Sequence, residues 1–125
     1  MITNTGCGIY LAYPRSEGCM IAKGDVDTLV SRRHTKVGIT PESFIASGSN
    51  YRRDFDNRVK FIPLVEIPAQ RLREVEENVL AALASRYRLV GGTRNWFDTQ
   101  QRDSIISLIY SQLCTAANDP GAQQA

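Results

Sequence analysis

Glu76 is a carboxylate placed inside the apolar stripe of a helix, and a carboxylate there either escapes to water or does chemistry. From Ala69 to about Arg88 the residues Leu72, Val75, Val79, Leu80, Leu83 and Tyr87 fall on one face when the chain advances ~100° per residue. The neighbours of Glu76 at i−4, i+3, i+4 and i+7 are Leu72, Val79, Leu80 and Leu83, whereas Glu74 and Glu77 project to the opposite face. Burying a carboxylate without a partner is strongly unfavourable. Two readings follow: an edge-of-stripe side chain whose head snorkels to water, or a metal ligand or acid–base group at the mouth of a site. The second chemical signal is the type of cation. Of fifteen basic residues only Lys23, Lys36 and Lys60 are lysine. The arginines cluster as Arg32-Arg33-His34, Arg52-Arg53 and Arg71-x-Arg73. Guanidinium groups suit bidentate contact with phosphate or carboxylate, although a GC-rich coding sequence produces the same bias.

The bulk properties exclude several classes. A chain of 125 residues makes one domain with a real core, expected over residues 1–114, with 115–125 as a small, polar tail containing Pro120-Gly121. The net charge of +2 does not by itself announce a nucleic-acid binder. No apolar run approaches the ~18 residues of a membrane span, and Met1 to Thr5 has the look of no signal peptide. Cys7, Cys19 and Cys114 are widely spaced and odd in number, and His34 is the single histidine. A structural zinc site is therefore not expected, and a reducing, cytoplasmic location is.

The elements that must position these residues read as follows. Ile9 to Tyr13 is a short apolar and aromatic strand bounded by Gly8 and Pro14, and Arg15-Ser16-Glu17-Gly18 is a turn. Cys19 to Val30 is ambiguous: a short strand, a turn at Gly24-Asp25 and a stub of helix. Thr35 to Thr40 is a second strand that would pair with the first. Thr40 as N-cap and Pro41 at the first helical position start a short helix, which Gly48-Ser49-Asn50 should interrupt before a further turn at Tyr51 to Phe55. Arg58 to Ile67 is a third strand with Val59 and Phe61 on one face, and Pro63 marks it as an edge strand or a bulge. The Glu76 helix follows Pro68 and closes near Gly91-Gly92. Asp98-Thr99-Gln100-Gln101 caps a last helix with the stripe Ile105, Ile106, Ile109 and Leu113. The expected fold is α+β: a small three-stranded antiparallel sheet flanked by helices, in the order β-β-α-β-α-α.

On the first strand lies Gly8-Ile9-Tyr10, and on the second Lys36-Val37-Gly38-Ile39-Thr40. Alone, the first reads as a glycine at a strand start before a core tyrosine, and the second as a strand whose glycine meets another backbone. In order, followed by arginines, by Val75-Glu76-x-x-Val79 and by Asn95-Trp96-Phe97, the set resembles the GIY-YIG nuclease family. The likeness is to its phage-type and restriction-enzyme branches, in which the second motif carries lysine in place of tyrosine. It runs from Gly8 to about Phe97, and makes Cys19 to His34 an insertion.

The resemblance implies hydrolysis of a DNA phosphodiester with one divalent ion, Mg²⁺ or Mn²⁺, held by Glu76; one carboxylate with waters and substrate oxygens is ordinary Mg²⁺ coordination. It implies that Tyr10 helps to activate the attacking water, although a phenol of pKa ~10 needs help from neighbouring cations. Lys36 would orient that water or steady the phosphate. A helix arginine would neutralise charge in the transition state, and the metal would stabilise the leaving 3′ oxygen. The family spacing of that arginine lands on Ala46 or Ser47, so either Arg52 or Arg53 serves or the arginine is lost. Asn95 is either the family's phosphate-side asparagine or a turn residue; Trp96 and Phe97 are expected in the core. The leading expectation is thus a metal-dependent DNA endonuclease. The alternatives are a catalytically degenerate DNA-binding module of the same fold, and an interaction or inhibitor protein in which Glu76 is a buried structural acid paired with Lys36 or an arginine. Sequence-specific reading of DNA would fall to the insertion or to a homodimer.

Overall fold

A computed structural model describes residues 6–15, 18–22, 27–55 and 57–117 of the chain. The first strand, β1 (Gly8–Pro14), is the most apolar segment and is buried on both faces, which makes it a central strand. It pairs antiparallel with β4 (Thr35–Thr40), Tyr10 opposite Gly38 and Ala12 opposite Lys36. Its other edge pairs antiparallel with β5 (Val59–Glu66). Here the register shifts between Ile9, opposite Val65, and Tyr10, opposite Pro63, so Leu64 is the extra residue of a bulge. Pro63 is tolerated because β5 is an edge strand. The bulge carbonyl of Leu64 accepts a hydrogen bond from the Tyr110 hydroxyl at 2.8 Å.

The α+β class with an antiparallel sheet stands, but the strand count is corrected. The sheet has four strands in the order β5-β1-β4-β6, the last being the two-residue β6 (Trp96–Phe97). A separate two-stranded ribbon joins β2 (Met20–Ala22) and β3 (Thr28–Val30). The expected helical stub before Val30 is therefore a strand, held by pairing that local propensity does not encode. The expected turn at Gly24-Asp25 and the residues Ser16 and Glu17 lie outside the described residues.

The helices differ from expectation at their ends. Helix α1 (Phe44–Asp54) starts at Ser43, whose hydroxyl accepts from the Ala46 amide at 3.2 Å. Thr40 is instead the last paired residue of β4, and its hydroxyl accepts from the Glu42 amide. Gly48 does not interrupt α1; it is buried, and a Cβ there would stand 3.3 Å from the Phe61 ring. A 3-10 turn (Ala69–Arg71) leads into α2 (Leu72–Ala84), which ends short of Arg88 because Leu89 bridges to Phe97 beside the sheet. Helix α3 (Arg102–Ala117) runs three residues past the expected domain end; residues 118–125 lie outside the described residues.

The sheet thus separates two cores. Ile9, Leu11 and Val37 pack with Val75, Val79 and Leu83 of α2 and Ile105 and Ile109 of α3. Tyr10, Ala12 and Val59 point the other way, with Phe44 of α1, Trp96 of β6 and Met20 and Val30 of the ribbon. Among the described residues no helix is long and apolar enough to cross a membrane.

Candidate functional site

Alternation along β1 and β4 sets the first half of the site. Tyr10 and Lys36 share the α1 face, since Tyr10 faces Gly38 and Lys36 faces Ala12 across the ladder. Gly38 is required there: a Cβ would lie 2.7 Å from the Tyr10 hydroxyl. Tyr10 is nearly buried, with its ring 4.7 Å from that of Phe61 and edge-on to that of Tyr51 at 5.5 Å. Its hydroxyl lies 2.9 Å from the Tyr51 hydroxyl, and the Lys36 ammonium donates to the same Tyr51 oxygen at 2.5 Å. The ammonium also rides 5.2 Å from the Tyr51 ring centre and 5.7 Å from that of Tyr10, within reach of both π faces. Burial first, then the adjacent Tyr10 hydroxyl, raise the Tyr51 phenol far above its ordinary pKa, so Tyr51 is a neutral bridge.

These three side chains border an open cleft of about 580 Å³ between the sheet and α1. Thr40, Ser47, Asn50 and Asp54 supply polar wall, and Ile21 of the ribbon and Phe55 close it with apolar surface. Thr40 and Ser47 are joined by a hydrogen bond between their hydroxyls, which fastens α1 to β4 at the cleft floor.

Glu76 forms the second half, from the opposite face. Its stem lies among Ile9, Val37, Ile39, Val79 and Leu80, and its side chain is 17% exposed. Oε1 accepts a hydrogen bond from Arg94 Nη2 at 2.8 Å, and Arg94 is 70% exposed. Gly38 borders this gap as well as touching Tyr10, so the two halves approach each other across one glycine.

The remaining expected residues are arranged differently. Arg52 and Arg53 do not line the cleft. Because α1 continues through Gly48, they follow Tyr51 by one and two positions; both are exposed, and the Arg52 guanidinium lies beside Gly48 rather than in the cleft. Arg52 donates to Ser49, and Arg53 donates to Asn50 and pairs with Asp54 at 3.3 Å. Asn95 contributes through its backbone, its carbonyl accepting from the Val37 amide at 3.0 Å. Trp96 and Phe97 are in the core, as expected. Sequence reasoning missed Tyr51 and Arg94. Tyr51 was accessible, because Phe44, Ser47, Gly48, Tyr51 and Phe55 share one face once the helix is read as continuous.

Could Glu76 hold a divalent ion? Among the described residues there is no group of three or more His, Cys, Asp and Glu side chains, so a closed protein cage of such side chains is not formed there. A single, partly buried carboxylate fits the alternative, a hard cation that keeps its waters and takes substrate oxygens. Its present partner is a cation, which is the charge such an ion would have to replace. Comparison of the chain with family models, curated proteins and solved structures gave no match. The functional reading therefore rests on the residues and their geometry.

Proposed function

We propose that this chain is a metal-dependent DNA endonuclease of the GIY-YIG kind, hydrolysing phosphodiester bonds. The observation that carries the reading is the convergence of Tyr10, Lys36 and Tyr51 on one open cleft, with Glu76 reaching the same strand at Gly38. The cleft is wide enough for a phosphate and its attacking water, and Lys36 supplies positive charge there.

The hydroxyl pair can carry its shared proton in two ways. When Tyr51 donates to Tyr10, the Tyr10 proton is left to face a phosphate oxygen. When Tyr10 donates to Tyr51, a Tyr10 lone pair accepts from a water and aligns it for attack on phosphorus. Lys36 holds the Tyr51 oxygen in either case, fixing the pair while its charge favours the phosphate. A divalent ion at Glu76 would supply Lewis-acid stabilisation of the leaving 3′ oxygen. The new bond is water oxygen to phosphorus and the broken one is phosphorus to O3′; the attacking water's proton passes to solvent, and the departing O3′ takes one up from solvent to leave as a hydroxyl. Half-buried Cys7, exposed Cys19 and exposed Cys114 are free thiols, which supports action in a reducing cytoplasm.

The deciding experiment is nicking of supercoiled plasmid with Mg²⁺ or Mn²⁺. Cleavage should vanish with a chelator and fall at least ~100-fold in Tyr10→Phe, the scale of one lost hydrogen bond to the charge developing in the transition state. Full activity in a purified Glu76→Ala protein would sink the metal assignment. A second reading, a binding module without catalysis, is favoured by the departure of Arg52 and Arg53 from the cleft. It predicts salt-sensitive DNA retention with no nicking at any metal concentration.

A further inference from the structure

Lys36 is the cation of the cleft itself, and no guanidinium lines that cleft; Arg94 stands instead on Glu76, at the Gly38 gap that forms the second half of the site. We infer that Arg94 is the phosphate-binding arginine of this site, and that Glu76 holds it in reserve until substrate arrives. The inference rests on the DNA-cleaving reading and deepens it.

The loop that carries Arg94 is built to hold a position. Gly91 turns it with φ +54°, a backbone conformation that favours glycine. The Thr93 hydroxyl donates to the Val90 carbonyl at 2.7 Å, and the Val90 amide donates to the Trp96 carbonyl at 2.9 Å. Asn95 and Trp96 then lock to β4, through the Val37 amide and opposite Lys36. The chain one residue before that ladder is Arg94, so β6 sets this arginine at the edge of β4 beside Gly38. The guanidinium is mostly exposed, whereas the carboxylate it touches is mostly covered. The arginine can therefore leave without unpacking anything, and the glutamate cannot. When a phosphate enters, Arg94 can exchange one anionic partner for another, and a cation drawn to Glu76 would offset the cost of leaving that mostly covered carboxylate without its partner. Departure of Arg94 also bares Glu76 for a cation. Arg102 is the contrasting arginine: it stacks 3.7 Å from the Tyr13 ring centre and donates to the carbonyls of Arg32 and His34, so it is committed to the fold.

The test is DNA affinity in a chelator, measured by fluorescence anisotropy over a salt series, for the natural protein, Glu76→Gln, Arg94→Ala, the double variant and Arg94→Lys. Arg94→Ala should weaken binding and lower the slope of log K against log salt by about 1, the signature of one lost phosphate contact. Arg94→Lys should keep the slope. Glu76→Gln should tighten binding by roughly fivefold, the upper range for releasing such a pair, and the gain should disappear in the double variant. A gain that persists without Arg94 would show simple removal of negative charge and overturn the inference while leaving the nuclease reading intact. Unchanged affinity in Glu76→Gln would also overturn it. Failure of every folded variant to bind DNA, with thermal unfolding checking the fold, would overturn both.

Discussion

The two faces of the sheet are made from the same strands and do opposite work. On one face, Ile9, Leu11 and Val37 meet Val79 and Leu83 of α2 and Ile105 and Ile109 of α3, and the contact is dry. On the other, α1 offers Ser47, Gly48 and Tyr51 where α2 offers valine and leucine. Small and hydroxyl-bearing residues cannot fill the space, so a cleft remains with Tyr10 and Lys36 on its floor. The dry face fixes β1 and β4 in register, and the register aligns Tyr10 with Gly38 on the wet face. The Tyr10–Lys36 half of the site is therefore separated from the dry core by the two-residue period of a strand, while Glu76 reaches the same strand from the α2 side at Gly38.

The largest expected effect breaks the dry face alone. Leu83 is fully buried in the α2–sheet core, so Leu83→Ala should lower unfolding stability by about 2–5 kcal/mol. Denaturant titration would check it, and DNA affinity of the remaining folded fraction should be unchanged. A loss below ~1 kcal/mol would mean the face is less tightly packed than the contacts indicate.

Gly38→Ala attacks the hinge between the faces. The added methyl would sit 2.7 Å from the Tyr10 hydroxyl, and the Tyr10 side chain is too buried to swing freely. A stability cost of about 1–3 kcal/mol is expected from the forced shift. Plasmid nicking should fall further than stability explains, because the Tyr10–Tyr51–Lys36 chain would be displaced. Normal cleavage in this variant would separate Tyr10 from the reaction.

Much of the frame was legible from the sequence, for reasons that also explain the gaps. The strands β1, β4 and β5 announce themselves by short runs of aromatic and β-branched residues between Gly, Pro and polar turns. The α2 and α3 stripes follow from helical period. By contrast β6 is two residues long and exists because the edge of β4 accepts it. Continuity of α1 through Gly48 depends on Phe61 from another strand, a tertiary contact that overrides the local propensity to break. That single misreading concealed Tyr51. Arg94 was hidden more deeply, since its place depends on a loop anchored by β6, and no periodic pattern marks it.

Tyr51→Phe tests whether the wet face is held by packing or by polar contacts. The ring stacking with Phe55 and the contacts with Tyr10 and Phe61 would survive, while the hydrogen bonds to Tyr10 and Lys36 would be lost. The expected stability loss is about 1 kcal/mol, because Lys36 and Tyr10 can turn to cleft water. Cleavage should fall by more than that equivalent, if the neutral Tyr51 bridge fixes the two groups that meet the phosphate. Equal losses of stability and activity would make Tyr51 a packing residue.

The smallest effect lies at the far end of β4, where His34 enters the strand. Its Nδ1 accepts from the Ser31 amide at 3.0 Å, so the neutral ring carries its proton on Nε2, which faces Asp98 at 3.5 Å. Burial lowers the His34 pKa below 6.5, Asp98 opposes that shift, and Arg33 adds to it. The folded state therefore binds a proton less readily than the unfolded chain. The contribution is fully present above pH 6.5 and is lost as pH falls from there toward the folded value. Unfolding midpoints of the natural protein should drop across that interval relative to His34→Gln, which cannot titrate. DNA affinity, set at the Gly38 end of the strand, should show no difference between the two proteins in how it changes with pH. A pH-dependent affinity that His34→Gln removes would tie this turn to the cleft and dissolve the separation between the scaffold and the site.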